Sequence, residues 1–183
     1  MRKLSTLSLV MFLACSPVAV AQEPGGTSRV DDAAITARVK AALIENDATK
    51  ARQIEVETRD GVVQLSGFVE SMDMQEVAVR TARAVPGVKE VRNDLELRQG
   101  ERTVGTVVDD TVIAAKVKAK LTDEAGLAVA NDVNVEVNNG VVQLSGFVST
   151  MEEKNQAANA ATTVDGVRDV RNNIALARDR EDR

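Results

Sequence analysis

The nonapeptide Gly61-Val62-Val63-Gln64-Leu65-Ser66-Gly67-Phe68-Val69 occurs a second time, residue for residue, at positions 140–148, an offset of 79. At the same offset Val85-Pro86-Gly87-Val88-Lys89-Glu90-Val91-Arg92-Asn93 matches Val164-Asp165-Gly166-Val167-Arg168-Asp169-Val170-Arg171-Asn172. Upstream, Asp32-Ala33-Ala34-Ile35-Thr36-Ala37-Arg38-Val39-Lys40 matches residues 110–118 at an offset of 78, so one residue was gained or lost between these blocks. Three blocks in one order mark an internal duplication, and the fold question reduces to one repeat.

Within a repeat the hydrophobic periodicity changes twice. Ile35, Val39, Ala42 and Leu43 recur at helical spacing after Asp31 or Asp32, either of which suits a helix cap, and Ile113, Val117 and Leu121 renew the stripe. Ile54, Val56 and Thr58 then alternate with Glu55, Glu57 and Arg59 up to Asp60-Gly61, a dipeptide that fits a two-residue hairpin turn. Asn139-Gly140 takes that place in the second copy. Pairing across the turn sets Thr58 opposite Val63, Val56 opposite Leu65 and Ile54 opposite Gly67, so one hairpin face is apolar and the other polar. Gly67 and Gly146 fall on the apolar face, where we expect a helix to cross close to the sheet.

A second helix is expected from Ser71 and from Thr150, where Thr150-Met151-Glu152-Glu153 has capping-box spacing. Ala78, Thr81, Ala82 and Val85 form its inner face, and Pro86-Gly87 or the equivalent Gly166 ends it. The last strand is reached through a helix, which favours a parallel partner. The expected fold class is α+β: two αββαβ domains, each a three-stranded mixed sheet packed under two helices.

Arg2 and Lys3, an apolar run over residues 4–15 and the small-residue site Ala19-Val20-Ala21 read as a signal peptide over residues 1–21. A flexible leader over 22–29, the first domain over 30–97, a linker over 98–107, the second domain over 108–177 and a charged tail over 178–183 complete the division. The apolar run is short for a permanent span. Export to the periplasm is the expected fate, peripheral rather than transmembrane. The alternative is an outer-membrane lipoprotein anchored at Cys15, although Phe12 and Leu13 fit a lipobox imperfectly.

Composition narrows the chemistry. The chain has no His, Trp or Tyr and one Cys, which removes most nucleophile, metal and acid-base devices. No enzymatic activity, cofactor or metal site is expected. Its 23 Lys and Arg against 28 Asp and Glu give a charge of -5. Nucleic acid is therefore not an expected partner.

The ordered set of an amphipathic helix, a turn leading into G-V-V-x-L-x-G, a small-residue helix and a closing V-x-G-V-x-x-V-x-N resembles the BON domain of bacterial osmotically inducible and nodulation proteins. The resemblance covers both copies. It implies an αββαβ fold and a non-enzymatic role in supporting the cell envelope under osmotic and other stress. The partners it implies are anionic phospholipid, bound through the second domain, or envelope proteins protected by a soluble chaperone-like member.

Three kinds of residue are candidates for function. Lys116 and Lys120 share a face of the first helix of copy two, whereas Lys118 diverges by roughly 200°, and the plain alternative is a solvated helix surface. Phe147, like Phe68, lies opposite the core by alternation, open either to lipid insertion or to packing on the neighbouring domain or a local bulge. Asn93 and Asn172 sit in strands that disfavour Asn, which points to a side-chain bond with nearby backbone or to ligand contact. Gly61, Gly67, Gly87, Gly140, Gly146 and Gly166 are structural candidates. The pairs Asp31-Asp32, Asp109-Asp110 and Glu152-Glu153 read as helix caps and first-turn charges.

Overall fold

The computed structural model describes residues 28–46, 49, 54–98 and 104–177. The signal peptide, most of the leader, residues 99–103 of the linker and the charged tail lie outside the described residues. The first repeat runs α1 (Ser28–Glu45), β1 (Ile54–Arg59), β2 (Val62–Val69), α2 (Met72–Arg83) and β3 (Glu90–Leu97). The second runs α3 (Val104–Glu124), α4 (Leu127–Asp132), β4 (Val133–Asn138), β5 (Val141–Val148), α5 (Met151–Thr162), β6 (Asp169–Asn172) and β7 (Ala175–Leu176).

Sheet order is β1-β2-β3 with β2 central, antiparallel to β1 and parallel to β3. Thr58 faces Val63, Val56 faces Leu65 and Ile54 faces Gly67, the register that alternation requires. The second sheet repeats it, with Val135 opposite Leu144 and Val133 opposite Gly146. Its last strand is broken at residues 173–174, so β6 and β7 each pair in parallel with β5.

Each sheet buries its apolar face under its own helices. Ile35, Val39 and Leu43 of α1 meet Val56, Val63, Leu65 and Leu95, while Ala78 and Ala82 let α2 approach closely. Ile113, Val117, Leu121, Val135, Leu144, Ala157 and Ala161 build the second core. Full burial of a Leu side chain contributes roughly 1.5–3 kcal/mol, so Leu43, Leu65, Leu121 and Leu144 are principal holders of the two layers. Ser71 Oγ accepts from Met74 N at 3.2 Å, and Thr150 and Glu153 form a complete capping box.

Several details depart from the sequence expectations. α3 occupies residues 104–107, assigned to the linker, because Gly105 costs a helix only about 1 kcal/mol. α4 is an added turn of helix without a counterpart among the described residues of the first repeat. At Gly146, with φ of 125°, a Cβ would lie 2.1 Å from the carbonyl oxygen of Asp132, so the close neighbour is the C-terminal end of the short α4, where the chain enters β4, rather than one of the two helices that cover the sheet.

Asp32 and Asp110 do not cap their own helices. Asp32 is buried, and its carboxylate accepts from Asp60 N at 2.8 Å and Gly61 N at 2.9 Å. Asp110 accepts from Asn139 N and Gly140 N, both at 2.9 Å. Asp60 and Asn139 have φ of 54°, and the following Gly61 and Gly140 have 80° and 77°. Such a turn aims two amide protons the same way, and the first helix of each repeat supplies the anion that receives them.

Candidate functional surfaces

Alternation along β2 sends Gln64, Ser66 and Phe68 to the face away from the helices, and along β5 it sends Gln143, Ser145 and Phe147 there. These faces are not solvated: Gln64 and Gln143 are each 1% exposed. The two sheets dock through them. Gln64 Oε1 accepts from Gly146 N at 2.8 Å, and Gln143 Oε1 accepts from Gly67 N at 2.7 Å. Gln64 Nε2 donates to the Asn173 carbonyl at 2.7 Å, and Gln143 Nε2 donates to the Asp94 carbonyl.

Each of these residues has its counterpart in the other repeat 79 positions away, Gln64 with Gln143, Gly67 with Gly146 and Asp94 with Asn173, so the bonds exchange under a two-fold rotation. Ser66 Oγ and Ser145 Oγ lie 2.7 Å apart at the centre. Side-chain amides thus satisfy main-chain groups that would otherwise be buried without partners. Asp94 Oδ2 also accepts from Gln64 Nε2 at 2.7 Å and from Arg92 Nη2 at 3.1 Å.

Towards its edges the seam loses symmetry. Asn134 Nδ2 donates to Glu57 Oε1 at 3.0 Å, but the two-fold equivalents of that pair are Glu55 and Glu136. Burial raises the Glu136 pKa above 4.5 and the Glu55 charge raises it further, against the opposing pull of Lys118 and Arg98. Lys40 holds Glu55 from the other side at 3.2 Å. Burial also raises Glu96; Arg171, 3.8 Å away across the seam, opposes this, while Asp169 and Asp94 add to it.

On the surface of the second repeat, Lys116 and Lys118 are exposed. Lys120 Nζ instead contacts Glu124 Oε1 at 2.7 Å, and this hydrogen bond with its ion pair raises the Lys120 pKa. Lys120 is therefore partly neutralised as an anion-binding charge. Exposed Val112, one turn before Lys116, belongs on the same face and was not among the sequence candidates. Its signal was the position i-4 from Lys116.

Phe147 is 7% exposed and lies on the docked face, as does Phe68, so lipid insertion would require the two sheets to separate. Asn93 Oδ1 accepts from Leu95 N and Asn172 Oδ1 from Ile174 N, both at 3.3 Å, while Asn172 Nδ2 also reaches the Lys154 carbonyl. Gly87 and Gly166 lie against the side chains of Ile35 and Ile113. Among the described residues no cluster of three or more His, Cys, Asp or Glu is arranged to hold a metal ion, and no helix is long and apolar enough to cross a membrane.

This architecture defines a class: a tandem of αββαβ repeats docked sheet against sheet. The BON domain family model matches residues 31–99 and 109–178, and the chain belongs to that family. It is 42% identical over 146 residues to Osmotically-inducible protein Y of Escherichia coli, covering 79% of this chain and 72% of that protein. Outer membrane lipoprotein DolP of Haemophilus influenzae is 31% identical over 153 residues, 82% of this chain and 78% of the relative. Among solved structures, CdsD, a structural protein of the type III secretion system of Chlamydia trachomatis, aligns at 17% identity with a TM-score of 0.32. That alignment covers 79% of this chain and 63% of the solved chain, less than two thirds of its length, and is too distant to carry an argument.

Proposed function

We propose that this is an exported, non-enzymatic protein of the bacterial cell envelope that supports envelope integrity under osmotic stress by peripheral binding to anionic phospholipid through its second BON domain. The reading is carried by the exposed face of α3, where Val112 and Lys116 pair an apolar contact with a cation of no ion-pair partner among the described residues. Such a pairing suits a headgroup boundary, where apolar insertion and attraction to negative lipid act together. Lys120 contributes less because Glu124 already occupies it. The similarity to an osmotically inducible protein and to an outer membrane lipoprotein supports an envelope location, the periplasm in our reading. Anchoring at Cys15 is the alternative.

Co-sedimentation of residues 22–183 with phosphatidylglycerol and phosphatidylcholine vesicles tests the proposal. Binding only to the anionic vesicles, weakened by salt and reduced about fivefold or more in Lys116→Glu, is the expected result, since each basic residue near such a surface contributes about 1 kcal/mol. Equal binding by Lys116→Glu would remove α3 from the site.

A further inference from the structure

We propose that Met72 with Leu97, and Met151 with Leu176, form two docking points, one per repeat, for an apolar, positively charged segment of a protein partner. Both methionines open a helix and stand well out in solvent, Met72 at 70% and Met151 at 54% exposure; the two leucines are exposed as well. The fold brings each pair to one end of its domain. Leu97 is paired with Val69, and Ser71 caps α2 two residues beyond Val69. Gln75 Nε2 then donates to the Leu95 carbonyl at 2.6 Å, fixing the first turn of α2 over the end of β3. In the second repeat Leu176 pairs with Val148, Thr150 caps α5, and Lys154 Nζ donates to the Ile174 carbonyl at 2.7 Å.

The repeats supply an internal control on the exposed positions. Along these two helices Glu76, Arg80 and Arg83 have become Asn155, Asn159 and Thr162 in the other copy, all exposed. The methionine, the leucine and the carboxylate after the methionine, Asp73 or Glu152, are kept. Solvated positions have drifted, whereas two apolar side chains that contribute little to either core have not. Glu70 and Asp73 at the first point, and Glu152 and Glu153 at the second, outnumber the one cation beside each, Arg98 and Lys154, which donate to the Phe68 and Ile174 carbonyls, so both rims are acidic in balance in a chain of net charge -5. Negative rims around apolar contacts select a cationic amphipathic segment and repel an anionic lipid surface. Since β2 and β5 run antiparallel across the seam, the two points lie at opposite ends of it, and one chain can hold two segments or two regions of one partner.

The test is fluorescence titration of residues 22–183 with a short dansyl-labelled peptide of alternating Leu and Lys, beside a Gly-Lys peptide of equal charge. Two Leu-Lys peptides should bind per chain, Met72→Ser should leave one site, and Met72→Ser with Met151→Ser should weaken affinity about tenfold or more. Thermal unfolding of each variant should match the parent, because the altered side chains lie outside both cores. Lys116→Glu should retain both sites, which separates this proposal from the lipid reading. Two-site binding by the double variant, equal binding of the Gly-Lys peptide, loss of a site in Lys116→Glu, or no binding by the parent chain would each overturn it.

Discussion

The centre and the edge of the seam between the repeats solve the same problem differently. At the centre the two copies are identical, and Gln64, Ser66, Gln143 and Ser145 satisfy each other's backbone and hydroxyl groups in a reciprocal set. At one edge the copies have diverged usefully, giving Asn134 to Glu57, and at the opposite edge Glu136 is left with Glu55. Deep burial tolerates few unpaired polar atoms, so the centre has held to one solution. Partial contact with water lets the edge carry an unfavourable pair.

The largest effect should come from breaking the centre. Gln143→Ala strands Gly67 N–H and the Asp94 carbonyl, and urea unfolding should show a loss of about 2–4 kcal/mol, with Gln64→Ala close to it by symmetry. If one variant were nearly neutral, the reciprocity would not extend to energetics. Next in size, Ser66→Ala leaves the Ser145 hydroxyl buried without its partner and should cost about 1 kcal/mol. Adding Ser145→Ala should recover most of that loss, because both polar groups are then gone. An additive double variant would argue against mutual dependence of the two hydroxyls.

The smallest effect lies at the edge. Glu136 and Glu96 have pKa values raised by burial, so their proton-linked stability is fully present below the usual 4.5 and is lost as pH rises through the raised values. Glu136→Gln should therefore stabilise the fold at neutral pH by less than about 1 kcal/mol, read as a small rise in thermal midpoint, because the site retains solvent contact. The gain should vanish as pH falls towards 4.5, where the parent carboxylate is protonated. A gain independent of pH would mean that packing rather than charge is responsible.

Much of the fold was legible because a repeat read twice cancels noise. Hairpin register followed from the alternation of Ile54, Val56 and Thr58 against Val63 and Leu65, and the helix starts followed from Ser71 and Thr150. The seam was not legible in the same way. Alternation states which side of a strand is polar, but a polar face can meet water or another polar face, and Gln64 and Ser66 fit either. Their retention in both copies, with Phe68 in the same row, was the available signal. Asp32 was misread for a related reason: an acid at a helix start ordinarily serves that helix, whereas this one receives amides from a turn 28 residues away.

The two-fold seam also bears on how such a chain can come to exist. An interface that maps onto itself needs no covalent link, since two separate copies of a single repeat would present the same complementary faces. Joining them in one polypeptide replaces an encounter between molecules with one inside a molecule, at an effective concentration of roughly millimolar. Assembly then no longer depends on how much protein the cell has made. Fusion also ends an obligation: in a symmetric pair every substitution arrives twice, whereas here Asn134 could arise opposite Glu57 without imposing the same exchange on Glu55. Each repeat was thereby free to change at its edge of the seam without imposing the change on the other.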